Sequence, residues 1–229
     1  MMAEGQAGQV AFVGVGPGDP ELMTIKAVSA IRNADVLALA DSGTHSVVMR
    51  ILGDLAEGKQ LLRLKIPMTG DRAQWTRAHA RAAELVEECL LAGKRVAYPV
   101  LGDPSLYASS GYLLARLKDH FACEVIPGVP AMCAAAAAAQ VPLCEGRERL
   151  TVLPGFSQGE PLPAGNALVM KAGGALEAIA GAALGRKAYV VRNLGMPDAQ
   201  VGTLQDEFAP SYFTTVLVKA EGETAHEAD

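Results

Sequence analysis

The chain has 229 residues, half of them hydrophobic and a fifth charged, which suits one large or two small globular domains and excludes a disordered chain. Its formal net charge of −5 argues against general affinity for nucleic acid or an anionic membrane surface, while leaving a local basic cleft open. Cys89, Cys123, Cys133 and Cys144 form no Cys-x-x-Cys pair and the histidines do not cluster with them, so reduced, mostly buried thiols are expected rather than a metal site.

The opening MMAEGQAGQ has neither a basic start nor an apolar stretch, and the longest apolar run, near Ala134–Ala139, is too short to span a bilayer. A soluble cytoplasmic protein is expected. Val10 to Val15 is apolar, ends in glycines and predicts a strand. Ile25, Val28 and Ile31 have helical spacing within 24–34, and 36–40 predicts the next strand. A helix over 46–55 and a strand over 61–66 follow. Asp71 can cap a long helix striped by Trp75, Ala78, Ala82, Leu85, Val86 and Cys89, with Gly93 past its end. Then come a strand over 95–101, a helix over 106–117 and a strand over 123–127. This alternation predicts an α/β fold whose first domain, 1–127, has a parallel sheet covered on both faces. A second, smaller α/β domain is expected over 128–229. It has strands near 150–153, 167–171, 187–192 and 212–219, a helix near 175–184, and a frayed tail from residue 220.

Three loops carry the chemistry. VGVGPGDP follows the first strand. Gly14 and Gly16 fit a dinucleotide fingerprint, but its third glycine is Asp19, which would confront a pyrophosphate with a carboxylate, and Pro17 removes an N–H donor. No Gly-Lys-Ser/Thr follows, so a P-loop is excluded. On spacing alone this stretch fits a tight structural turn as well as a ligand loop. VLGDPSLYASSGYL (100–113) repeats Gly-Asp-Pro after another strand, and VIPGVPAM (125–132) follows a third. Ligands of parallel sheets sit beyond the carboxyl ends of the strands. Three small-residue loops there form a cleft where backbone can approach a ligand closely. The alanine run after Ala131 is expected to pack as a helix.

These three stretches resemble the tetrapyrrole methyltransferases, the class III S-adenosylmethionine enzymes of cobalamin and sirohaem synthesis, from about Val10 to Lys219. Within the family, IPMTGDRAQWTRAHARAAELV (66–86) and LGDPSLYASSGYL resemble the group acting at carbon 20 of precorrin-2 or its cobalt form. Leu101, where uroporphyrinogen methyltransferases tend to carry glycine, points away from that group. The resemblance implies two α/β domains with the cofactor folded into the cleft between them, and a homodimer. It implies cofactor contacts at Pro17, at Leu101, Gly102 and Asp103, and at Pro130 and Ala131, where Pro130 replaces the family's usual hydroxyl residue. It implies adenine contacts at Met170, Lys171, Asn193 and Leu194.

Methyl transfer from a sulfonium to an electron-rich ring carbon needs alignment in a dry cleft more than an activated nucleophile. A proton must then leave carbon 20, and Asp19, Asp103 and Tyr107 are the candidate acceptors. The two aspartates precede proline and serve equally as caps. Lys65, Arg72, Arg147 and Arg149 are candidates for the substrate's carboxylates. Alternatives are another corrin-pathway enzyme such as the precorrin-4 carbon-11 methyltransferase, a non-catalytic tetrapyrrole-binding protein, a relative that methylates RNA or protein, and a dinucleotide-dependent oxidoreductase. The acidic balance disfavours RNA and Asp19 disfavours the dinucleotide.

Overall fold

The computed structural model describes residues 8–41, 44–67 and 69–220. The tail expected to fray from residue 220 lies, beyond Ala220, outside the described residues. The chain divides into two compact units between Pro130 and Ala131.

The first unit alternates β1 (Gln9–Gly14), α1 (Ile25–Asn33), β2 (Val36–Ala40), α2 (His45–Leu52), β3 (Gln60–Leu64), α3 (Arg72–Leu91), β4 (Arg95–Val100), α4 (Ser110–Leu117) and β5 (Ala122–Ile126). All five strands are parallel, in the order β3-β2-β4-β1-β5. Val36 to Leu39 of β2 are all buried, as a strand covered on both faces requires. Val10, Phe12, Val96 and Tyr98 pack with Val86 and Leu90 of α3 and Leu113 and Leu117 of α4. Right-handed crossovers then put α1, which packs on β1 and β4, on the opposite face. Thr24 caps α1 by accepting from Ala27 N at 3.1 Å, and Lys59 Nζ closes its far end on the carbonyls of Arg32 and Ala34. Asp71 caps α3, accepting from Ala73 N at 2.8 Å and Gln74 N at 3.2 Å. The helix expected from Leu106 starts only at Ser110, because Asp103-Pro104-Ser105 turns on the Asp103 carboxylate and Tyr107 is left-handed at φ 51°.

The chain leaves β1 toward β2 and leaves neighbouring β4 toward β5, in opposite directions. The first connection passes over β4 and the second over β1, so the loops leave side by side at the carboxyl ends, where ligands of parallel sheets sit. The two Gly-Asp-Pro loops stand there.

The second unit contains α5 (Ala131–Ala139), β6 (Leu150–Leu153), β7 (Asn166–Val169), α6 (Leu176–Ala182), β8 (Ala188–Arg192), β9 (Gln200–Thr203) and β10 (Thr214–Val218). Its sheet runs β6-β7-β10-β8-β9, parallel only between β6 and β7. The alanine helix α5 packs on β8, β9 and β10. Ile179 and Ala183 cover Ala167, Val169, Val190 and Val216. Arg186 ties three segments together, donating to the carbonyls of Pro163, Gly165 and Lys219 at 2.5–2.9 Å. The four cysteines are free thiols, but Cys133 and Cys144 are exposed and Cys123 is half-buried, correcting the expectation of mostly buried thiols. Cys123 lies on edge strand β5 with one side against the core, and Cys133 and Cys144 face solvent. Among the described residues no helix is long and apolar enough to cross a membrane.

Candidate active site

Because β1 lies between β4 and β5, the loops after these strands emerge side by side. Val15 N donates to Val100 O at 2.9 Å, and Gly102 N donates to Gly16 O at 2.7 Å, continuing the pairing past the strand ends. Gly102 has φ 75°, a conformation glycine takes without strain. A Cβ on Gly14 would lie 2.5 Å from Gly128 N and 2.8 Å from Gly102 O. The three loops therefore cross backbone on backbone. This revises the sequence expectation: at Gly14 and Gly128 the missing side chain makes room for neighbouring chain, not for a ligand.

Asp103 fastens the crossing. Its Oδ1 accepts from Ser105 N at 2.7 Å and from the Ser105 hydroxyl, and its Oδ2 accepts from Gly128 N at 2.9 Å. Burial pushes this carboxyl up, but the Ser105 hydroxyl and the Gly128 and Ser105 N–H groups outweigh it and hold the group below its ordinary value. Asp103 is thus an ionised clasp between the second and third loops. Sequence inspection missed this link, although Asp-Pro-Ser is a turn signature and Gly128 follows a strand. Asp19 is half-buried and starts a short 3-10 turn, Pro20–Leu22, its Oδ1 accepting from Glu21 N at 2.9 Å. Tyr107 is 51% exposed in a left-handed conformation, rare for an aromatic residue. Pro17 is buried, and Leu101, Pro130 and Ala131 are half-buried.

The charge of the three loops is one-sided. Residues 15–24, 101–109 and 127–130 hold Asp19, Glu21 and Asp103 but no lysine or arginine. Such loops repel phosphate and suit a cationic ligand. Lys65, directly after β3, and Arg72, the first residue of α3, are exposed at the same edge of the first sheet.

In the second unit, β7 and β8 are both antiparallel to β10, so the turns after them leave one edge of that sheet. Lys171 follows β7 at φ 55° and Asn193 follows β8 at φ 52°. Asn193 is buried; its Nδ2 donates to Asp198 Oδ2 at 2.7 Å and its Oδ1 accepts from the Ser211 hydroxyl at 2.5 Å. The Asn193 amide, more than Arg192, holds the Asp198 carboxyl below its ordinary range. Met170 is half-buried and donates through its N to Leu153 O at 2.9 Å; Leu194 is half-buried, and Lys171 Nζ stands 5.4 Å from the Tyr212 ring centroid. Arg147 and Arg149 are exposed ahead of β6, at some remove in sequence from these turns.

Glycine-laced loops that carry carboxylates and no basic residue, at the carboxyl edge of a parallel sheet, define a class of small-molecule α/β enzyme. The chain matches the model of the Tetrapyrrole (Corrin/Porphyrin) Methylases over residues 9–206, and it belongs to that family. It is 39% identical to the precorrin-2 C(20)-methyltransferase of Sinorhizobium sp, over 92% of this chain and 95% of that one. It is 29% identical to the cobalt-precorrin-2 C(20)-methyltransferase of Salmonella typhimurium, over 95% and 99%. Among solved structures, uroporphyrin-III C-methyl transferase from Thermus thermophilus, complexed with S-adenyl homocysteine, shares the fold with a TM-score of 0.64 at 22% identity, covering 93% of this chain and 97% of that one.

Proposed function

We propose that this chain is an S-adenosylmethionine-dependent C-methyltransferase acting at carbon 20 of precorrin-2 or its cobalt form during corrin-ring construction. The observation that carries the reading is the 39% identity, across nearly both whole chains, to a relative bearing that name. The acidic loop edge supports it independently, because the donor is a cation at both its sulfonium and its amino group.

S-Adenosylmethionine supplies an electrophilic methyl to an electron-rich ring carbon. Pro17, Leu101, Gly102 and Asp103, with Pro130 and Ala131, bind the methionine portion; Met170, Lys171, Asn193 and Leu194 face adenine. The Asp103 clasp keeps the loops fixed, so that donor and carbon are aligned before reaction rather than during it. Two left-handed residues, Lys171 and Asn193, shape the turns at the second sheet's edge. Lys65, Arg72, Arg147 and Arg149 pair with the ring's carboxylates. Asp19 or Tyr107 accepts the carbon-20 proton, since both Asp103 oxygens already accept hydrogen bonds. Family resemblance further supports a cytoplasmic homodimer, which light scattering checks.

The test is incubation with S-adenosylmethionine and either precorrin-2 or its cobalt complex, followed by mass spectrometry and NMR. The expected product carries one added methyl at carbon 20. A methyl elsewhere on the ring, or none with either substrate, would refute the reading.

A further inference from the structure

Trp75 and His79 of α3 and Tyr112 of α4 form one aromatic cluster. The Trp75 and His79 centroids lie 4.0 Å apart, and Tyr112 meets Trp75 edge-on at 4.3 Å. His79 is buried; its Nδ1 donates to the Trp75 carbonyl at 2.9 Å, while Nε2 is enclosed without a hydrogen-bond partner. The buried imidazole packs tilted against Trp75 and edge-on to Tyr112, with centroids 5.3 Å apart, and so backs both larger rings. Tyr112, by contrast, is 51% exposed and Trp75 is half-buried.

The cluster's place in the fold gives it meaning. Both helices begin at the carboxyl edge of the parallel sheet, where the glycine loops emerge. The Ser110 hydroxyl donates to Pro104 O at 3.2 Å, joining the start of α4 to the Gly102-Asp103-Pro104 turn. Tyr112 is two residues further on. Arg72 precedes Trp75 by three residues and so shares its face of α3. The chain has one tryptophan and few aromatic residues, and its tryptophan stands here, partly open to solvent. A solvent-accessible aromatic pair, one ring half-buried and one exposed, beside an arginine matches a flat, apolar ring system rimmed by carboxylates.

We propose that the Trp75–Tyr112 pair, supported by His79, contacts the tetrapyrrole macrocycle directly and sets its position, with Arg72 taking a peripheral carboxylate. This rests on the methyltransferase reading above. The experiment is steady-state kinetics with precorrin-2, alongside circular dichroism and light scattering, for Trp75→Ala, Trp75→Phe, Tyr112→Ala and Tyr112→Leu. Each alanine variant is expected to raise the tetrapyrrole KM about tenfold, with kcat within about threefold of wild type. The S-adenosylmethionine KM should not move, and Trp75→Phe should restore most of the effect. If Trp75→Ala misfolds, the Tyr112 variants decide, because that ring is half exposed. An unchanged tetrapyrrole KM in folded variants overturns the proposal while leaving the methyltransferase reading intact. So does a changed oligomeric mass with unchanged KM, which would make the cluster an interface between copies. Absence of wild-type turnover removes both.

Discussion

The two units hold their candidate-site turns by different means. In the first, three loops lock by main-chain contact: Gly14, Gly102 and Gly128 bring backbone against backbone, and one carboxylate, Asp103, closes the crossing. In the second, the left-handed turn at Asn193 is held by side chains, through the Asp198 carboxylate and the Ser211 hydroxyl. Main-chain locking tolerates no added atom, because close-packed backbone has nowhere to move. A side-chain network is softer, since losing one bond leaves the others. The first unit should therefore be brittle where the second is graded.

Gly128→Val attacks the crossing directly. Its Cβ would collide with Gly102 O and lie 2.8 Å from Gly14 Cα. A loss on the order of 3 kcal/mol or more is expected in urea unfolding. A loss below about 1 kcal/mol would show that the loops can part and that the crossing is not rigid.

Asp103→Asn tests the clasp with nearly constant volume. One amide hydrogen-bonding edge would then face an N–H donor, so a loss of about 2 kcal/mol at neutral pH is expected. The pH dependence has a definite sign. Asp103 is held below its ordinary value in the fold, so its contribution is present above about pH 4, the unfolded carboxylate's range, and fades as pH falls through the folded value. Asp35, held at about 2 by Arg95, titrates in both proteins, so the difference between wild type and variant isolates Asp103. A stability difference that stays constant from pH 7 to pH 2 would reject the clasp.

A pair of changes at Asn193 separates backbone strain from hydrogen bonding. Asn193→Ala loses both side-chain bonds and keeps an unfavourable φ, and should cost about 2 kcal/mol; Asn193→Gly relieves the φ and should cost about 1 kcal/mol. Equal losses in thermal unfolding would mean that the left-handed turn carries no strain.

Asp19→Asn should barely change stability, within about 0.5 kcal/mol, because asparagine caps as well as aspartate. If Asp19 also faces the reacting ring with its charge, turnover falls about 10²-fold while cofactor affinity holds. Wild-type-like turnover would leave Asp19 as a cap alone.

Much of the fold was legible because the first unit's central strands, β1, β2 and β4, are largely buried. Val36–Ala40 reads as a continuous aliphatic run and forms that strand with those bounds. Asp71 announced its helix through local capping chemistry, and Ile25, Val28 and Ile31 announced theirs through spacing. β9 escaped notice because Gln200–Thr203 is a short, largely exposed edge strand whose pairing depends on β8, not on its own pattern. The start of α4 was misjudged because the Asp103 turn delays the helix to Ser110. The three glycine loops were legible as a set. Their backbone crossing and the Asp103–Gly128 bond were not, since both join residues far apart in sequence and leave no local periodicity. The Trp75, His79 and Tyr112 rings showed in sequence as part of a helix stripe at most, because their meeting depends on how α3 and α4 pack.

The central claim is that the acidic, glycine-locked edge of the first unit holds S-adenosylmethionine. Titration calorimetry of S-adenosylmethionine and its demethylated product into the wild-type protein and into Gly102→Val tests it most directly. The account predicts that both compounds bind the wild type and neither binds the variant, whose added side chain would strain a residue at φ 75° within the loop crossing. No heat of binding for either compound with well-folded wild-type protein would contradict it.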